Sequence, residues 1–139
     1  MSRSLMTEQE ILARFDAFEQ ATFPLAEWNH AAHLVTGLVY VRRYGREGAL
    51  TRMREGLQRY VKAVGGNPDG YHETVTRAWI ELIANLDAEL ADAPLPVAAQ
   101  CLLERCGDKL YLLRFYSRER IMTDAARREW VEPDKAPFR

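Results

Sequence analysis

A chain of 139 residues is long enough to bury a core of its own, and 47% hydrophobic against 28% charged is the balance of an ordinary globular protein. A net charge of −1 removes any global electrostatic reason to bind nucleic acid or an anionic membrane surface. No apolar run approaches the roughly 20 residues that span a bilayer, and the first residues lack the apolar stretch of a signal peptide. Cys101 and Cys106 would point about 140° apart on one helix, so two reduced thiols are expected, which suits the cytoplasm.

Thr7-Glu8-Gln9-Glu10 has the pattern of a capping box, in which Thr7 caps a helix and Glu10 reaches back to its amide. Ile11, Phe15, Phe18 and Thr22 follow at helical spacing, and Pro24 ends the element. Glu19 falls near the C-terminal end, where the macrodipole disfavours an acid; a solvated carboxylate is the plain account. A second helix is predicted from about Asn29, its N-cap, to Tyr44, with Gly45 as the stop. His30, His33, Leu34, Gly37, Val41 and Tyr44 share one arc of it, so both histidines project inward.

A third helix follows from about Arg46 to Val64, burying Leu50, Met53, Leu57, Tyr60 and Val61. Gly65-Gly66-Asn67-Pro68-Asp69-Gly70 is the strongest breaker in the chain: a connector, a hinge, or a loop over a ligand. The fourth helix begins between Pro68 and His72 and runs to about Leu90, with His72, Val75, Thr76, Trp79, Ile83 and Leu86 on one face. Glu73 lies at the edge of that face. Residues 42–62 carry seven cations against two acids, and residues 69–92 carry six acids against Arg77. Two antiparallel helices can use these charges to select each other, which outweighs a nucleic-acid surface as the reason for the basic run.

Ala93-Pro94-Leu95-Pro96 is a further break. A fifth helix covers Val97 to about Arg105, interrupted near Gly107, and helical spacing resumes from Lys109 to Tyr116. Thr123 caps a short last helix, and residues 131–139, like residues 1–6, are expected to be extended tails of a single helical domain, 1–139. There is no phosphate-binding glycine loop and no H-E-x-x-H zinc motif.

All three histidines of the chain fall at two of these helix beginnings. Residues three apart on a helix are neighbours, so His30 and His33 can converge on one ion at about 2.0–2.1 Å, with His72 from a facing helix as third ligand. The positive end of each helix dipole favours the neutral ring, the form that binds a metal or accepts a proton. Glu73, then Glu19, are the candidates for a general base or an extra ligand, and Trp28, Tyr71 and Trp79 would dry the site. The competing account is a core hydrogen-bond network that ties helices together. Arg114, Arg118 and Arg120 are lesser candidates for an anion clamp.

Trp28-x-His30-x-x-His33-Leu34, then Gly70-Tyr71-His72-Glu73-Thr74-x-Thr76-x-x-Trp79, then Trp130-Val131-Glu132-Pro133-Asp134, resemble a family of small bacterial proteins over roughly residues 15–135. That resemblance implies a shared pattern and no particular activity. A looser likeness is to the DinB-like helical bundles, which hold a metal with three histidines; here the paired histidines come early and three apart.

The expectation from sequence is therefore an all-α single-domain bundle of five or six helices. Its expected function is metal-dependent hydrolysis or hydration of a small-molecule substrate. The ion is divalent (Zn, Fe, Mn or Ni, which the pattern does not separate) and held by His30, His33 and His72, with Glu73 or Glu19 as catalytic carboxylate. The alternative is a non-catalytic ligand-binding or structural module whose histidines form the core network. No nucleic-acid or membrane partner is expected.

Overall fold

The computed structural model describes residues 6–90 and 92–138. The fold is all-α, with no strand among the described residues. Four longer helices carry it: α1 (Glu8–Glu19), α2 (His30–Ala63), α3 (Glu73–Glu89) and α4 (Leu95–Cys106). Two short helices follow, α5 (Arg118–Ile121) and α6 (Asp124–Arg128), after a 3-10 segment at Lys109–Arg114.

The helix ends obey local chemistry. The Thr7 hydroxyl accepts the Glu10 amide at 3.1 Å and the Glu10 carboxylate accepts the Thr7 amide at 3.0 Å, closing the capping box. Asn29 caps α2 through the Ala32 amide at 2.9 Å, and Thr123 caps α6 through the Ala126 amide at 3.0 Å. α2 bends at Gly45, whose φ of 75° and ψ of −179° belong to a region open almost only to glycine. The two helices expected on either side of Gly45 thus run on as two arms of one bent element.

The second arm of α2 lies antiparallel to α3, and charge marks the register. Arg46 pairs with Glu81 and Arg54 with Glu73 at 2.5 Å, so partner numbers fall as arginine numbers rise, as antiparallel packing requires. Arg42, on the first arm, pairs with Asp87 at 2.8 Å. Beneath these pairs one continuous hydrophobic cluster joins α1 to α4, through Phe15, Phe18, Leu38, Tyr60, Ile83 and Leu102 among others. No helix among the described residues is long and apolar enough to cross a membrane.

Some expectations change in three dimensions. Tyr44 is not inward but 41% exposed, because the bend at Gly45 carries it off the buried arc; Arg52 sits 3.8 Å above its ring instead. Thr22 is exposed because α1 already ends at Glu19. Residues 131–138 have no regular structure but do not trail into solvent. Phe138 packs on Phe115, Tyr116 and Trp130, the Lys135 amide donates to the Phe115 carbonyl at 2.9 Å, and the Tyr116 hydroxyl donates to the Val131 carbonyl at 2.7 Å. The remaining tail positions, residues 1–5 and 139, lie outside the described residues. Cys101 and Cys106 are both free thiols.

Candidate functional site

The two helix beginnings do come together. His30, His33 and His72 border one cleft of about 510 Å³, closed on the far side by the 3-10 segment, α5 and the start of α6. Its walls are largely apolar: Val75, Trp79, Leu110, Leu113, Ile121 and Met122. Lys109, Arg118, Asp124 and Arg127 also line it. A second, mostly apolar cleft of about 380 Å³ lies behind the histidines, beside Trp28, Leu57, Tyr60 and Val64, and shares His33, His72 and Val75 with the first. The Gly65–Gly70 breaker contributes Gly66, Asn67 and Gly70 to this rear cleft, so it does lie against a cavity.

The three rings have different tasks. His72 is the N-cap of α3 rather than a member of its first turn. Its Nδ1 accepts the Val75 amide at 3.1 Å, and its Nε2 lies 2.8 Å from the Ile121 carbonyl. A carbonyl oxygen only accepts, so the proton sits on Nε2 and both nitrogens are engaged. His30 likewise donates from Nε2 to the Cys106 carbonyl at 2.9 Å, and its ring lies 4.7 Å from that of Trp79. These two histidines stitch the beginnings of α2 and α3 to the ends of α4 and α5, satisfying carbonyls that the last turn of a helix leaves open.

His33 differs. Among the described residues its ring has no hydrogen-bond partner, and no buried side-chain nitrogen or oxygen is left unpaired, so its nitrogens open into the clefts. Trp28 stacks on it with ring centroids 5.8 Å apart. Burial, with a smaller contribution from His30, lowers its pKa from 6.5 to about 4, so the ring is neutral at pH 7.

The carboxylates expected beside the histidines are placed elsewhere. Glu73 faces the other side of the α3 start, where Arg54 donates to it from Nε at 2.9 Å and from Nη2 at 2.5 Å, and the Tyr71 hydroxyl donates at 2.7 Å. Arg54 first, and then Tyr71, hold its carboxyl below the usual range against the opposing effect of burial. Glu73 and Tyr71 line a separate polar cleft with Gln58 and Arg128. Glu19 accepts the Tyr40 hydroxyl at 3.0 Å near the end of α1 and borders neither histidine cleft. Among the described residues, no group of three or more His, Cys, Asp or Glu side chains is arranged to hold a metal ion.

Of the arginines singled out in sequence, Arg118 reaches the front cleft, Arg114 lies over the Tyr111 ring at 4.8 Å, and Arg120 donates to the Glu132 carbonyl at 2.7 Å. Lys109, Leu110 and Met122 were not legible as site residues. Leu110 and Met122 are 52% and 75% exposed, which only the folded surface displays. Thr74 was also missed: buried, it accepts the Val131 amide and donates to the Glu129 carbonyl, holding the C-terminal segment. Comparisons with protein-family models, with curated proteins and with solved structures find no match to this chain.

Proposed function

We propose that the protein is a small-molecule-binding module, with the front cleft as its site and His33 as the polar group that meets the ligand. The observation that carries this reading is the division of labour among the histidines: His30 and His72 are spent on carbonyls, while His33 alone keeps its nitrogens for a ligand. A neutral imidazole with a pKa near 4 offers one donor and one acceptor but is a weak base, which suits recognition better than proton abstraction. A cleft of about 510 Å³ with mainly apolar walls and a few polar groups has the size and lining of a small-molecule site.

The test is a fragment screen by NMR that follows the His33 ring and the Trp79 indole. Fragments that shift both, and cease to bind after His33→Phe, are the expected result. A diverse library that leaves His33 unmoved would end this reading.

A second reading keeps one observation in its favour, since all three rings border the same cleft. It is the metal-dependent hydrolase or hydratase, with a divalent ion on His30, His33 and His72. That ion would require His72 to give up Val75 at Nδ1, keeping its Nε2 bond to Ile121, and Glu73 to leave Arg54 before acting as base. Elemental analysis and zinc or nickel titration of tag-free protein decide between the two. Stoichiometric uptake that is lost in His72→Ala favours the metal, and none favours the binding module.

A further inference from the structure

The charge around the front cleft narrows what it would hold, resting on the binding reading above. Lys109, Arg118 and Arg127 line it against a single acid, Asp124, which is taken up by Arg127 at 2.9 Å. Among the described residues Lys109 and Arg118 have no carboxylate partner, in a chain whose other cleft-lining arginine at the α3 start, Arg54, is fully paired. Two unpaired cations at an apolar opening favour an anion, and the guanidinium geometry favours a carboxylate or phosphate fork.

Beside these cations stand Leu110 and Met122, two of the few large hydrophobic side chains the protein leaves exposed. Exposed apolar side chains gathered at one cleft mark a binding surface. Further in, Trp79 and Val75 continue the apolar wall to His33, whose neutral ring can exchange a hydrogen bond with a hydroxyl or carbonyl but gains nothing from an apolar end.

We infer that the front cleft binds a small amphipathic carboxylate: an anionic end at Lys109 and Arg118, an apolar body against Leu110, Met122 and Trp79, and a hydrogen-bonding atom at the far end for His33. The rear cleft, with no cationic side chain in its lining, is not the anion's place.

Three probes of nearly one shape separate the parts. They are 3-(4-hydroxyphenyl)propionate, 3-phenylpropionate without the hydroxyl, and 4-propylphenol without the carboxylate, each titrated by NMR into the full chain. The hydroxyphenylpropionate should bind tightest, with loss of the carboxylate weakening it about tenfold and loss of the hydroxyl several-fold. The double variant Lys109→Ala, Arg118→Ala should erase the advantage over 4-propylphenol, and His33→Phe the advantage over phenylpropionate. Both sites of substitution are peripheral to the core or keep an aromatic ring against Trp28, and unchanged urea midpoints would verify the fold. Equal or tighter binding of 4-propylphenol overturns the carboxylate assignment while leaving the cleft a binding site. Binding of none of the three also overturns it, and the fragment screen then says whether the binding reading falls with it.

Discussion

The ring of His72 is a two-ended tie to Ile121: Nε2 donates to the Ile121 carbonyl at 2.8 Å while Nδ1 accepts the Val75 amide at the start of α3. One side chain thus caps α3 and anchors the end of α5, 49 residues away. Removing it uncaps a helix and leaves a carbonyl without its donor. His72→Ala should cost roughly 2 kcal/mol, from a cap worth about 0.5–2 and a hydrogen bond worth about 1. His72→Asn can still cap α3 but is too short to reach Ile121, so it should recover about half the loss. Urea denaturation of both variants checks this; equal midpoints for His72→Ala and the unaltered protein would refute it.

His33 should give the protein a pH dependence in a window set by its own two pKa values. Its folded pKa of about 4 lies below the ordinary 6.5, so the unfolded chain binds the proton more readily. Stability is therefore fully present above about pH 6.5, falls as pH drops through that value, and stops falling on this account below about 4. The span of about 2.5 units corresponds to roughly 3.5 kcal/mol at about 1.4 kcal/mol per unit, most of it lost by pH 4. The difference between His33→Phe and the unaltered protein should change by about this amount between pH 7 and pH 4. Parallel curves would show that His33 does not lose its water on folding.

The Arg54–Glu73 pair is weakened by acid as well, in a lower pH window. Its folded pKa is depressed, so its contribution is present above the ordinary glutamate value and is lost as pH falls below it. Two arginine hydrogen bonds and one from Tyr71 make this pair stronger than a typical surface bridge. Glu73→Gln should destabilise by about 1–2 kcal/mol at pH 7, and the gap should close as the glutamate protonates. Thermal melts across pH 3 to 7 would show it.

Gly56 lets α2 pass close to α1. A Cβ placed there would stand 2.6 Å from Cε2 of Phe18, whose ring is itself stacked against Trp28 with centroids 4.7 Å apart. Phe18 has no room to retreat, so Gly56→Ala should cost about 1–3 kcal/mol despite alanine's better helix propensity. The same Trp28 stacks on His33, so the displaced rings should also shift the His33 resonances. An unchanged melting temperature would mean that α1 can slide.

The caps at Thr7, Asn29 and Thr123, the break at Gly45 and the charge pairing of α2 with α3 could be read from the chain because each is settled locally or by a run of like charges. A cap involves residues three apart, and a backbone break needs only its own glycine. The inward direction of the histidines was legible for the same reason, since it follows from helical spacing. Their partners were not. Nothing near His30 names the Cys106 carbonyl, and nothing near His72 names that of Ile121.

By itself the sequence determined where α1, α2 and α6 start, which faces of the long helices turn inward, and that all three histidines stand at two helix beginnings. Only the tertiary structure decided which ring is left for a ligand. It also sent Glu73 to Arg54 and Glu19 to Tyr40, away from the histidines. The physical reason is reach: capping and periodicity are fixed within a turn or two of backbone. A carbonyl 49 or 76 residues distant becomes a partner only when helix packing brings it within about 3 Å.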